Sequence, residues 1–203
     1  MISQTDAELV LEPYLVRLRE CIRVAWKRWE KFCIDCPAMR KPLTPRTRAN
    51  FLYDHIVEIA EAEFLADRPK VFLNHSRGFL EIDIDSQIVI RFKKLNKKYK
   101  ASNIQTHQQV LYSMQSNLFG PSKEAARLVC GYLLTVVATE IKDIAITCPN
   151  GSVVEWFFSI ADQGNEGESR GFKLNPINPQ DGGTDSRFKK PGEDDQEIKD
   201  GPA

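Results

Sequence analysis

The sequence predicts an α+β fold in which two N-terminal helices precede an antiparallel sheet that a further helix interrupts. Apolar residues recur at helical spacing over the first third of the chain, and the period changes to strand-like alternation from residue 71 onward. After residue 161 large apolar residues become rare while Gly, Pro, Asp and Glu accumulate, so burial cannot offset the entropy of ordering the chain. We therefore expect one folded domain at residues 1–161 and a disordered acidic tail at residues 162–203.

The first predicted helix is long and amphipathic and is expected within residues 1–36. Its outer face is basic, and Pro37 directly follows its end. Such a face is usually solvated, but it can also contact a partner protein. The apolar stripe has alternating four- and three-residue spacing and consists of Leu11, Leu15, Leu18, Ile22, Ala25, Trp29 and Phe32.

A second helix and a series of short strands follow a proline-containing connection. Thr44 or Thr47 is expected to cap this helix, which ends before Pro69. Asp85 and Ser86 separate two alternating runs and predict a tight turn between strands. The later elements are, in order, strands at residues 71–73, 79–84 and 87–93, a helix at 103–115, a helical turn at 123–127, and strands at 128–137, 141–148 and 153–160, with a hairpin turn at 149–152.

The cysteine content indicates a cytoplasmic protein, and the charge distribution is compatible with a nucleic-acid or acidic-protein partner. Residues 1–161 contain 22 basic and 18 acidic side chains, and residues 162–203 contain 6 and 10, so a mildly basic body precedes an acidic tail. Five cysteines without a regular framework are typical of a reducing compartment. The spacing of Cys33 and Cys36 is that of a metal or redox pair, but no second pair follows it. No membrane contact is expected, because no apolar stretch approaches about 20 residues.

The second helix carries two ionisable residues on its apolar face. Arg48 and His55 are seven residues apart and therefore point in nearly the same direction as Phe51 and Leu52. A charge in that position needs a partner or borders a cleft. We predict Arg48 and His55 as a catalytic pair. The alternative is that Arg48 pairs with a carboxylate such as Asp83 and that His55 is a hydrogen-bonded core histidine.

This spacing resembles the Arg-x(4–6)-His motif of HEPN ribonucleases. The resemblance implies that His55 acts as acid and base and that Arg48 holds the phosphate, without a metal or cofactor. An imidazole can move the proton of a 2′-hydroxyl near neutral pH, and a guanidinium stabilises charge on the phosphate. HEPN domains are all-helical, so the predicted strands depart from that family.

The ten residues 91–100 form a second candidate site, because six of them are basic. Clustered cations neutralise phosphates, and the interleaved Phe92 and Tyr99 could stack on bases. His107 follows near a predicted helix start, where free N–H groups favour anions. The alternative is an ordinary solvated surface. Besides His107, the predicted nucleic-acid contacts are Arg91, Lys93, Lys94, Lys97, Lys98 and Lys100.

Three carboxylates on one predicted strand form a third candidate site. Glu81, Asp83 and Asp85 alternate along that strand and could hold a divalent metal ion. A restriction-type nuclease requires Glu-x-Lys on the next strand, where this chain has Arg91 and Lys93 instead. We therefore expect a solvated strand face and predict no metal site.

A set of landmarks occurs between residues 44 and 160. They are Arg46, Arg48, Ala49, Asp54 and His55, the segment 91–95, Gly131 and Tyr132, the segments 139–141 and 147–149, and Trp156. With these landmarks the chain resembles an uncharacterised family of bacterial and mobile-element proteins. That resemblance implies a partner of a regulator that combines a helix-turn-helix domain with an ImmA/IrrE-type metallopeptidase, as in toxin–antitoxin or phage-defence pairs. It brings no catalytic residues.

These observations predict a toxin-like effector that binds or cleaves nucleic acid, with RNA as the expected substrate and a cognate regulator or antitoxin as protein partner. No cofactor is expected, and no oligomeric state is predicted. The alternative is a non-enzymatic adaptor or regulatory protein that binds a partner protein through its long N-terminal helix. The enzyme requires Arg48 and His55 to share an accessible cleft with the basic segment, whereas the adaptor allows both to be buried and paired.

Overall fold

A computed structural model describes residues 2–67, 69–76, 78–101, 112–113 and 125–161 of the chain. Within these residues helices precede a six-stranded sheet, which confirms the α+β class. The α-helices are α1 Gln4–Leu11, α2 Leu15–Asp35, α3 Pro37–Arg40 and α4 Pro45–Phe64. The strands are β1 Val71–Ser76, β2 Phe79–Ile84, β3 Ile88–Lys94, β4 Ala126–Leu134, β5 Ile141–Asn150 and β6 Val153–Ser159.

The long N-terminal helix is present as α2, but it does not extend without interruption to the start of the chain. A 3-10 turn at Glu12–Tyr14 separates α1 from α2. This turn contains Pro13, which lacks a backbone N–H and whose ring clashes with the carbonyl four residues earlier in a regular helix. The predicted apolar stripe of α2 packs against α4, with Leu18, Ile22 and neighbouring residues buried.

Thr44 is the residue that caps α4. Its side-chain oxygen accepts a hydrogen bond of 3.2 Å from the backbone N–H of Thr47, and Pro45 occupies the first helical position. One of the two predicted caps is therefore confirmed. The buried side of α4, which includes Leu52 and Ile56, packs with α2 into a core that also contains one face of the sheet.

The sheet has the order β1-β2-β3-β4-β5-β6 and is mixed. β3 and β4 are parallel, from the pair Ile88 and Ala126 to the pair Lys94 and Tyr132, and the other neighbours are antiparallel. The prediction of a purely antiparallel sheet is thus wrong at this one pairing. A parallel pair requires a crossover of about a dozen residues or more, and residues 95–125 provide it.

Both predicted hairpin turns are confirmed. Asp85 and Ser86 have φ values of 51° and 55°, and the backbone N–H of Gln87 donates to the Ile84 carbonyl at 3.0 Å. Two successive positive φ values match the right-handed twist of the strands that the turn joins. Gly151 has a φ of 57° between β5 and β6.

Three predictions fall wholly or partly outside the described residues. The helix predicted at 103–115 is described only at Tyr112 and Ser113, which are helical. His107 and the tail at 162–203 lie outside the described residues. The helical turn predicted at 123–127 is wrong at Ala126 and Arg127, because both belong to β4.

The five cysteines form no disulfide bonds. In the part of the chain that the structure describes, no helix is both long and apolar enough to span a membrane.

Candidate binding site

A cavity of about 450 Å³ lies where the end of α2, α3, the start of α4 and the loop between β4 and β5 meet. Its volume falls within the range of about 300–1,000 Å³ that is common for binding pockets. Trp26, Trp29 and Leu43 supply its large apolar surfaces, and Arg40 and Arg48 supply its positive charges. We call it the α2–α4 cavity.

An aromatic cluster fixes the relative position of the two helices beside this cavity. Trp29 meets Phe51 edge-on with 5.3 Å between ring centroids, and Phe32 lies 5.5 Å from Phe51 and 5.8 Å from Trp29. Trp26 directs its indole N–H to the Glu30 carboxylate at 2.7 Å. The cavity is therefore bordered by side chains that the core already holds in place.

Arg48 connects α4 to the loop between β4 and β5. Its Nη1 donates to the Ala138 carbonyl at 2.8 Å, although the two residues are 90 positions apart in the chain. Ala138 itself has a φ of 55°, a conformation that a residue with a Cβ rarely adopts. Arg48 thus stabilises a strained loop, and its partner is this carbonyl rather than Asp83. Asp83 lies on β2 with a buried Oδ1 that has no hydrogen-bond partner among the described residues.

His55 lies in a different set of contacts. Its Nδ1 is 2.9 Å from Arg28 Nη1 and 3.3 Å from Glu58 Oε2, and its ring packs against Phe51 with 4.4 Å between centroids. The Arg28 guanidinium can only donate and the Glu58 carboxylate can only accept, so the role of Nδ1 in these two contacts depends on the tautomer of the ring. The pKa of Glu58 is lowered by the hydrogen bond from Arg28 and then by His55.

Arg48 and His55 therefore share a helix but not their neighbours. Arg48 lines the α2–α4 cavity and contacts the loop, whereas His55 bridges α4 to α2 through Arg28. The shared cleft that the catalytic prediction requires is not formed by these contacts. Their catalytic role stays a prediction, with a test described below.

Arg91 is buried, with 8% of its surface exposed, instead of presenting a free charge. Its Nε donates to Glu81 Oε1 at 2.9 Å, and its Nη2 contacts the same oxygen. The guanidinium also lies over the rings of Tyr112, at 4.0 Å, and Phe79, at 5.2 Å. Glu81 therefore neutralises Arg91 within the fold, and the phosphate contact of Arg91 stays a prediction.

Lys93 and Lys94 are half-buried on opposite faces of β3. Lys93 Nζ lies 3.5 Å from the centroid of the Phe79 ring, and burial, followed by the charge of Arg91, lowers the pKa of Lys93 to about 8. Burial and then Arg48 lower the pKa of Lys94. These two lysines are less available to solvent than the sequence indicated.

The other three lysines among the predicted nucleic-acid contacts belong to a short ordered turn, Asn96–Lys100, which we call the lysine turn. Lys97 and Lys98 are exposed and Lys100 is half-buried. The Asn96 side-chain oxygen accepts from the backbone N–H of Lys98 at 2.8 Å and of Lys100 at 3.2 Å. These hydrogen bonds order the backbone of the turn, and the backbone in turn sets the positions from which the lysine side chains extend.

Tyr99 is not available to stack on a base. Its ring stacks on Phe157 with 3.8 Å between centroids, and its hydroxyl donates to Asp143 at 2.7 Å. Burial and this carboxylate raise the pKa of Tyr99 to about 12. The aromatic part of the predicted nucleic-acid site serves the fold instead.

Sequence reasoning missed the loop between β4 and β5, which borders the cavity. The sequence predicts Val136 and Val137 at the end of a strand, but β4 ends at Leu134 and both valines are exposed. The pairing of Glu81 with Arg91 was also missed. The predicted hairpin could have indicated this pair, because the register of β2 and β3 places Glu81 opposite Arg91 on the same face of the sheet.

Among the described residues, no group of three or more His, Cys, Asp or Glu side chains could hold a metal ion. No protein-family model matches the chain, and comparisons with curated proteins and with solved structures find no match.

Proposed function

We propose that this chain is a cytoplasmic adaptor or regulatory protein that binds a partner protein at the α2–α4 cavity. The observation that carries the proposal is the exposed apolar rim of that cavity. Clustered exposed apolar side chains are typical of protein-binding surfaces. On the elements that frame the cavity, the large apolar side chains with exposed fractions of 77, 61, 88 and 76% are Ile34, Met39, Val136 and Val137. The cavity and this rim together are called the docking face.

The contacts of the two predicted catalytic residues favour this function over an enzyme. Arg48 and His55 both hold neighbouring elements together through hydrogen bonds. An adaptor tolerates such pairing, whereas a nuclease needs both groups free to reach one phosphate. The resemblance of residues 44–160 to partners of helix-turn-helix regulators supports a cognate regulator as the protein that binds.

Replacing Ile34 by Glu should abolish binding of that regulator without changing the fold. The side chain is 77% exposed, so a charge there costs little in the free chain but must be desolvated in a complex. The measurement is co-purification and titration with the product of the neighbouring gene. Leu9→Glu is the matched control, because Leu9 is 78% exposed on α1. Equal binding by both variants would exclude the docking face.

Nucleic-acid binding through the lysine turn is the second candidate function. The turn presents the exposed Lys97 and Lys98 from a backbone that Asn96 stabilises. We expect that replacing Lys97, Lys98 and Lys100 by Glu abolishes a mobility shift with single-stranded RNA and lowers the salt slope by about 2, at about 0.7 per lost phosphate contact.

The control for this experiment carries the same change in net charge elsewhere. Lys27, Lys31 and Lys70 are exposed outside the lysine turn and are replaced by Glu together. Equal loss of RNA binding in both triple variants would mean that only net charge matters. Unchanged binding in the lysine-turn variant would remove the turn as a contact.

The catalytic prediction is tested by Arg48→Ala and His55→Ala. We expect Arg48→Ala to lower the free energy of unfolding by about 1–2 kcal/mol, because the Ala138 carbonyl loses its charged donor. Neither variant should change total RNA integrity after expression in cells, in contrast to a nuclease. Loss of growth arrest and RNA cleavage at an unchanged melting temperature would instead assign both residues to catalysis.

A further inference from the structure

We infer that the docking face recognises an acidic amphipathic segment of its partner, whose apolar side chains enter the α2–α4 cavity while its carboxylates bind the surrounding cations. This inference rests on the proposed function and specifies the chemistry of the partner. It follows from the charges at the face, from the shape of its apolar part and from the burial of its tryptophans.

The docking face carries more cations than acidic side chains. Residues 40–48 contain four cations and no acidic residue. Arg40 and Arg48 line the cavity, and Lys41 and Arg46 are exposed beside it. Among the described residues, none of the four forms an ion pair.

Lys94 on β3 is near enough to Arg48 that this guanidinium helps to lower the pKa of Lys94, although Lys94 does not line the cavity. The nearby acids are fewer. Glu30, in the cavity lining, accepts the Trp26 indole N–H, and Glu140 ends the loop between β4 and β5. Like charges held together repel one another until an anion binds, so carboxylates of a partner would complement this surface.

The apolar part of the docking face has the form expected for anchor side chains. A cavity of about 450 Å³ opens between two helices. The exposed Ile34 lines it, and the exposed Met39, Val136 and Val137 lie on the elements that frame it. Amphipathic helices bind such grooves through apolar residues at positions i, i+3, i+4 and i+7. Binding would cover Ile34 and Val136, which solvent now contacts.

A peptide fits this surface better than RNA does. Trp26 and Trp29 are only 6% and 8% exposed, so neither offers an open ring face for a base. Base stacking requires that face, whereas an aliphatic side chain needs only the small part of each ring that lines the cavity. The aliphatic rim likewise has no counterpart in a phosphate-binding groove.

The probes are two synthetic helical peptides of about 15 residues without Trp, which share Leu and Phe at i, i+3, i+4 and i+7. One peptide carries Glu at the remaining positions and the other carries Lys. Binding to the full chain is followed by its tryptophan fluorescence, to which Trp26 and Trp29 in the cavity lining and Trp156 on β6 contribute. We expect saturable binding of the acidic peptide and at least about tenfold weaker binding of the basic one.

The decisive variant is Arg40→Glu with Arg46→Glu, which should weaken binding of the acidic peptide by at least about tenfold and strengthen binding of the basic one. Its control is Lys27→Glu with Lys70→Glu, which should leave both affinities unchanged. Equal affinity for both peptides, or displacement of the acidic peptide by poly-uridine, would overturn the acidic-segment inference. If both peptides bound equally and Ile34→Glu abolished the binding of both, the docking face would still bind a partner but would not select it by charge. If neither peptide bound, both proposals would fall.

Discussion

Replacing Arg91 by Ala should lower the free energy of unfolding by about 3–5 kcal/mol, the range for breaking one partner of a buried ion pair. The Arg91 and Glu81 side chains are only 10% and 19% exposed. Removing the guanidinium leaves the Glu81 carboxylate without its donors and deprives Tyr112 and Phe79 of a packed cation. Urea denaturation followed by circular dichroism measures the change.

A double variant separates two effects of Arg91→Ala, which are the unpaired charge left on Glu81 and the lost contacts of the guanidinium with its neighbouring rings. Arg91→Met with Glu81→Leu removes both charges and retains apolar volume, so it should recover most of the stability lost in Arg91→Ala. If Arg91→Ala unfolded at the wild-type urea concentration, the pair would contribute nothing to the fold. Arg91 would then again be a candidate for phosphate binding.

Much of this fold was predictable because local periodicity and turn chemistry determine it. The alternation in residues 79–84 and the Asp85-Ser86 signal define β2, β3 and the turn between them. Thr44 followed by Pro45 likewise indicates where α4 begins. Such features depend on residues close in sequence, so the sequence contains the whole signal.

The parallel pairing of β3 with β4 could not be predicted in the same way. The two strands are separated by residues 95–125 in the sequence, and no local pattern encodes which strand β4 pairs with or in which direction. The end of β4 was missed for a related reason. Val136 and Val137 have high strand propensity, but the chain leaves the sheet after Leu134, and Arg48 holds the resulting loop.

The candidate site shows the same division between local and distant signals. Helical spacing placed Arg48 and His55 on one side of α4, where the structure has them half-buried. Their partners were not predictable, because Arg28 is 27 positions from His55 and Ala138 is 90 positions from Arg48. The contacts that decide between catalysis and structure thus arise only from the packing of α2, α4 and the sheet.

Replacing Gly131 by Ala should cost about 3 kcal/mol, at the upper end of the range for overpacking, because the added methyl group has no room. A Cβ at this position would lie 2.5 Å from Leu95 Cγ and 2.7 Å from the Lys93 carbonyl oxygen. Leu95 is buried and could rotate only by displacing its neighbours, whereas the carbonyl belongs to the β3 backbone. The clash is therefore not relieved by one side-chain movement.

The consequence of this substitution extends to the lysine turn. Leu95 donates its N–H to the Tyr132 carbonyl at 2.8 Å and pairs with Ala101, so it anchors both ends of the turn. We expect Gly131→Ala to weaken RNA binding as well as stability if Lys97 and Lys98 bind phosphates.

Gly151→Ala is the control, because its Cβ meets no atom within 4 Å and only its φ of 57° is strained. That variant should lose about 1 kcal/mol and bind RNA normally. A Gly131→Ala protein as stable as the control would mean that β3 and β4 separate easily, and the lysine turn would then lack its rigid support.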